Sequence, residues 1–226
     1  VVRERTRTLL PTPAVARHTL RLVEHVDAEV VVFGATFPLG LLGPWVLART
    51  GVPYVGFTHG LEVSTARVPG GVSMLRRIGR DAGAITYVSH WCRDILEPAF
   101  GPGPEHAMLP PAVDPAVFHP GVDGEAVRSR LGFGDEPVVV CVSRMVERKG
   151  QDQLIRALPE LRRRVDGARL LIVGGGPFEP ELRALAATVG VSEWVTIVGE
   201  VSDAELPAHF AAGDVFAMPC RERRGG

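Results

Sequence analysis

The chain has 226 residues, 46% of them apolar and 23% charged, with a formal net charge of −1. That balance suits one large folded domain or two small ones, and the lack of a basic excess argues against nucleic acid as the main partner. Cys92, Cys141 and Cys220 are odd in number and far apart, with no CxxC or metal-ligand spacing, and read as buried thiols in a reducing compartment.

The first residue is not Met and no signal peptide opens the chain, so the natural N-terminus is expected to lie upstream. Residues 1–12 are polar and give no clear element. Apolar spacing predicts a helix over 13–26, a strand over 29–33, a helix over 38–49 and a strand over 53–58 that ends in Thr58-His59-Gly60. The stretch Val30–Ala48 carries no charge and approaches the length of a membrane span. Gly34, Pro38, Gly40, Gly43 and Pro44 interrupt it, which favours strand, turn and buried helix over a span. A helix over 71–80 places Arg76, Arg77 and Arg80 beside Val72, Met74, Leu75 and Ile78. It is either a core-facing helix with a solvated basic side or a surface for anionic lipid. A strand over 84–88 follows, Ser89 caps a helix to about Pro98, and His106–Leu109 is a short strand.

The turn-rich Gly101–Pro104 and the prolines between Pro110 and Pro120 rule out regular structure there. They read as a surface loop or, because a fresh series starts beyond them, as an interdomain linker. That series is helix 124–131, strand 137–142, helix 151–165, strand 169–173, helix 179–189, strand 194–198, helix 203–212 and strand 215–219. Strands alternating with helices predict parallel βαβ units, hence an α/β fold. The domains are predicted as 1–115 and 116–226, with a cleft between them.

The chemistry concentrates where a buried strand, Val138–Val142, runs through a basic turn into a helix. The turn holds Ser143, Arg144, Arg148 and Lys149 before Gly150, and Lys149 is the chain's one lysine among 25 Lys and Arg residues. Ligands of open α/β sheets bind beyond the carboxyl ends of the strands, and cations beside helix N-terminal amides attract a phosphate. A solvated charged turn is the plain alternative. His59 sits at a strand's carboxyl end in the first half, as a site residue or a satisfied structural histidine. Gly174-Gly-Gly-Pro177 lacks both the G-x-G-x-x-G fingerprint and a Walker lysine, and turn chemistry explains its glycines as well as a binding loop does.

These residues carry a resemblance. Ser143-Arg144 followed by Arg148-Lys149-Gly150 resembles the S-R-x-x-x-x-K-G segment of family 4 retaining glycosyltransferases, which have the GT-B fold, and in particular the actinobacterial mannosyltransferases that build phosphatidyl-myo-inositol mannosides. Val113-Asp114 with Phe118-x-Pro120 is similar to that family's V-D…F-x-P junction, although Pro-Ala replaces the usual Asn-Gly or Ser-Gly. His59-Gly60-Leu-Glu62 resembles its H-G-x-E motif.

The resemblance implies that Arg144 and Lys149 hold the diphosphate of a sugar nucleotide and that His59 contacts the donor sugar. It implies that Gly174 and Gly175 lie on a nucleotide-side loop and that Val201 lines the base pocket. Asp203 would accept from guanine N1 and N2, or serve only beside the cap of the next helix. The family's Gly-rich loop after the first strand and its E-x7-E carboxylates do not occur in the chain, which is therefore expected to be a fragment lacking both ends and inactive by itself.

The function implied is a retaining transfer of a hexose, mannose from GDP-mannose, to a lipid-linked inositol acceptor. The alternatives are a UDP-sugar enzyme of the same fold and a non-catalytic nucleotide-sugar binding domain. The resemblance also implies metal-independent catalysis without a cofactor, which fits the absence of a D-x-D motif. The expected partners are a nucleotide-sugar donor and a lipid or polyol acceptor, with no nucleic acid. The expected place is the cytoplasm, with peripheral contact at the inner face of the plasma membrane.

Overall fold

The computed structural model describes residues 9–221. The chain divides between Ala112 and Val113 into two compact units, each built on its own sheet.

The first unit carries four parallel strands, β1 (Val31–Phe33), β2 (Tyr54–Phe57), β3 (Ala84–Tyr87) and β4 (Glu105–Met108), lying side by side in chain order. Its helices are α1 (Pro13–His25), α2 (Gly43–Thr50), α3 (Leu61–Ala66), α4 (Gly71–Gly79) and α5 (His90–Phe100). Tyr54, Leu75, Ile78, Ile85, Tyr87 and Leu96 are wholly buried between sheet and helices. The apolar stretch at 30–48 resolves into β1, a turn, a short 3₁₀ segment (Leu39–Leu42) and α2. The glycines that interrupt the pattern have a packing reason: Gly43 leaves the space taken by the Tyr54 ring, and Gly40 lies against Ile78. Among the described residues no helix is long and apolar enough to cross a membrane.

The second unit has four parallel strands in the order β7 (Val195–Gly199), β6 (Arg169–Val173), β5 (Val138–Val142) and β8 (Val215–Phe216). Helices α6 (Glu125–Leu131), α7 (Gln151–Arg164), α8 (Glu179–Val189) and α9 (Leu206–Ala211) complete it. β6 is buried at four of its five positions, as expected of a strand covered on both faces.

Three local outcomes differ from the sequence reading. The six-residue α3 is absent from it, because Leu61–Ala66 is too short for a periodic pattern and includes β-branched Val63 and Thr65. α9 begins at Leu206 rather than near 203, because residues 203–205 form a turn closed by the bonds between Ser202 and Glu205, and Pro207 fits only the first turn of the helix that follows. Cys220 is exposed, whereas Cys92 and Cys141 are buried as expected and burial pushes the Cys141 thiol above its usual range.

Candidate functional site

In the second unit, the loops that follow β5, β6 and β7 are joined by main-chain hydrogen bonds. Ser143 N donates to Val173 O (3.0 Å), Met145 N to Gly175 O (2.8 Å) and Gly174 N to Gly199 O (2.7 Å). Gly174 has φ +126°, and a Cβ there would overlap the carbonyl oxygen of Ser143, so both conformation and space demand glycine. The structure therefore brings Arg144 and the Gly174–Gly175 loop together.

Lys149 lies at the end of a single 3₁₀ turn (Glu147–Lys149) that hands over to α7 through Gly150 at φ +75°. A Cβ at Gly150 would run into the carbonyl of Pro219, which shows how closely the segment after β8 packs on this turn. Lys149 is half-buried with Nζ 3.6 Å from Met218 Sδ, and Arg144 is exposed. Neither forms an ion pair with the described residues. α7 starts without a side-chain cap, and within its first turn the Gln153 amide donates to Gly150 O (2.9 Å).

Three residues that the sequence reading passed over build the turn. Gln151 is fully buried, and its Nε2 donates to Ser143 Oγ (2.9 Å) and to Arg144 O (3.0 Å). A signal was available: Gln151 falls four residues before Ile155 and seven before Leu158, on the stripe that α7 buries. Asp152 is nearly buried and pairs with Arg221. That pair joins residues 69 positions apart, so no local pattern announces it.

The other two residues predicted in this unit are less engaged. Val201 is half-buried and packs on the core formed by Val127, Phe133 and Val138. Asp203 is exposed in the turn before α9, where Ser202 and Glu205 bond to each other and the Glu205 carboxyl is held below its usual range first by the Ser202 hydroxyl. Beside the glycine loop stands the exposed Glu200, whose side chain fills the space that a Cβ on Gly175 would take.

His59 belongs to the other unit, at the carboxyl end of β2. Its Nε2 lies 2.7 Å from Gly34 O. A carbonyl oxygen only accepts, so Nε2 donates this bond and Nδ1 is the ring nitrogen left to face away from Gly34. His59 N donates to Glu62 Oε2 (3.2 Å), and Phe37 N donates to Glu62 Oε1 (3.4 Å). Glu62, only 1% exposed, thus ties the loops after β1 and β2 together and sets the backbone of His59.

The basic helix foreseen near residue 71 is α4, and its three arginines are exposed. Leu75 and Ile78 are committed to the core, which leaves Val72 and Met74 on the outer side. Arg80 grips Asp81 through two nitrogens (3.1 and 2.9 Å), and Arg76 donates to Pro98 O (3.2 Å). Net positive charge on this face is smaller than three arginines suggest. Among the described residues no group of three or more His, Cys, Asp or Glu is arranged to hold a metal ion.

Residues 136–226 match the family described as Glycosyl transferases group 1. Over its full length the chain is 50% identical to a GDP-mannose-dependent alpha-(1-6)-phosphatidylinositol monomannoside mannosyltransferase of Mycolicibacterium smegmatis, of which it covers 59%. It is 38% identical to a GDP-mannose-dependent monoacylated alpha-(1-6)-phosphatidylinositol monomannoside mannosyltransferase of Corynebacterium glutamicum, covering all of this chain and 60% of that one. The chain thus spans less than two thirds of the length of these relatives. Anabaena Alr3699/HepE, solved with UDP, superposes with a TM-score of 0.77 at 19% identity, over 92% of this chain and 57% of that one. Sucrose-phosphate synthase from Thermosynechococcus elongatus gives 0.73 at 19% identity, over 92% and 54%. Likeness at that identity speaks for the fold alone. Residues 136–226 thus match the glycosyl transferases group 1 family, and the two parallel sheets of the chain give a GT-B type fold.

Proposed function

We propose that the protein transfers mannose from GDP-mannose, with retention, to a lipid-linked inositol acceptor. The observation that carries this reading is the turn after β5, where the Arg144 backbone lies against the glycine loop and Lys149 against the segment after β8, neither cation with a carboxylate partner among the described residues. The names of the mannosyltransferases that match the whole chain support the choice of donor and acceptor.

In this reading the two cations, with the positive end of the α7 dipole beside them, hold the diphosphate. They stabilise the negative charge that builds on it as its bond to the sugar lengthens. His59, its Nε2 engaged by Gly34 O, offers Nδ1 to a hydroxyl of the donor sugar. Val201 and Asp203 face the base, and Asp203 selects guanine through its N1 and N2 donors. No metal is assigned a role. The acceptor approaches from an anionic membrane that the protein touches from the cytoplasmic side through Arg76 and Arg77 on α4.

Radiolabelled mannose transfer from GDP-mannose to a crude lipid extract tests the reading on the full-length protein. Transfer from GDP-mannose, lost in Lys149→Ala, supports it; nucleotide binding without any turnover would reassign the protein to a binding role. A UDP-sugar donor is the second reading, favoured by the UDP complex of Alr3699/HepE. Competition between GDP and UDP separates the two.

A further inference from the structure

We propose that Arg221 is a positioning residue of the donor site: it cancels two carboxylates that flank the Lys149 turn, so that a diphosphate can settle there. The inference rests on the donor reading above and adds a charge-balancing group to it.

Glu147 opens the 3₁₀ turn that ends in Lys149, and Asp152 occupies the first turn of α7. Anions are favoured at a helix N-terminus, so Asp152 competes for the same field that would draw a phosphate. An uncompensated carboxylate there repels the ligand directly. Arg221, on the segment after β8, meets both groups. Its Nη2 is paired with Asp152 Oδ1, its Nη1 lies 3.8 Å from Glu147 Oε1, and its backbone N donates to Arg148 O at 2.8 Å. The second Asp152 oxygen accepts from Gln153 Nε2 at 2.9 Å, so the carboxylate is satisfied on both sides. A planar guanidinium can address two carboxylates at once, which a point-charge ammonium does poorly. The cations are therefore divided: Arg221 serves the acids, and Arg144 and Lys149 stay available to the ligand.

The test compares a charged ligand with an uncharged one. GDP and guanosine are titrated calorimetrically into full-length wild type, Arg221→Gln, Arg221→Lys and the double variant Arg221→Gln/Asp152→Asn, with a thermal melt to confirm folding. UDP and uridine replace them if the wild type prefers that pair. Arg221→Gln is expected to bind GDP about tenfold more weakly or worse, about 1.4 kcal/mol per tenfold, and guanosine as before. Removing the acid in the double variant is expected to restore most of the GDP affinity, and Arg221→Lys to restore part. Unchanged GDP affinity in Arg221→Gln overturns the inference. So does equal loss of both ligands without recovery in the double variant, the behaviour of a mere structural tie. A wild type that binds neither diphosphate refutes the donor reading itself.

Discussion

The buried amide of Gln151 reaches back across the site turn, with Nε2 2.9 Å from Ser143 Oγ. The same nitrogen also holds the carbonyl of Arg144 at 3.0 Å, so one side chain of α7 fixes the backbone on which Arg144 is mounted. Gln151→Leu keeps the volume and removes both bonds, leaving buried acceptors without donors. Loss of about 1–3 kcal/mol of stability is expected, together with weaker GDP binding. Urea unfolding and calorimetry on the same sample check it; GDP affinity equal to wild type would show that Arg144 needs no such support.

For the cations themselves, Arg144→Ala and Lys149→Ala are each expected to reduce GDP affinity by about 1.5–3 kcal/mol, the range for hydrogen bonds to charged groups. Arg156→Ala is the control. Arg156 is exposed on α7, without a bond to the described residues, and its loss should be silent. If all three variants bind GDP alike, the basic turn is only a solvated surface.

Gly174 makes a stability prediction. Gly174→Ala must find room beside the Ser143 carbonyl at a φ of +126°, and strained backbone of this kind costs on the order of 1–3 kcal/mol. Gly132 has φ +70° with open space around it, so Gly132→Ala should cost only the conformational part, about 1 kcal/mol. Equal midpoints of denaturation for the two variants would contradict the close approach of the β5 and β6 loops.

Much of this organisation can be read along the chain, and the reason is local. β5, β6 and β7 are mostly runs of β-branched or apolar residues followed by a glycine or a charged turn, as at Val138–Val142 and Leu170–Val173. Lys149 stands out by composition and Gly174 by its neighbours. What stays hidden depends on segments that meet only in the fold. Asp152 looks like an ordinary first-turn acid until Arg221 arrives on it. Glu62 reads as the last residue of a motif, and only the structure shows it bracing Phe37 N and His59 N. Arg80 looks like part of a basic face until its bond to Asp81 is seen.

Glu62→Ala is therefore expected to act on sugar transfer rather than on nucleotide binding. Two backbone donors lose their buried acceptor, at a cost of about 1–3 kcal/mol in stability. The His59 loop loosens, and kcat falls while GDP affinity holds. A parallel fall in both would mean that Glu62 supports more than the His59 loop.

Vesicle sedimentation addresses α4. Because Asp81 already offsets Arg80, Arg77→Ser should weaken binding to anionic vesicles more than Arg80→Ser does. Raising the salt should weaken both, since surface charge is screened within about 10 Å at 0.1 M. Binding that ignores all three arginines would remove the helix from the membrane question.

The bonds that join the loops after β5, β6 and β7 run from main chain to main chain, and Val201 and Asp203 take no part in them. Inheritance can act on the two kinds of position separately. If the proposed reading holds, with Val201 and Asp203 at the base and Arg144 at the phosphate, substitutions at 201 or 203 leave those main-chain bonds in place, so a descendant can drift from one nucleobase to another without first rebuilding its grip on phosphate. Substitution at Gly174 offers no such neutral path. The fold thus sets an unequal tolerance for change, low where glycine backbone meets backbone and higher a few residues away.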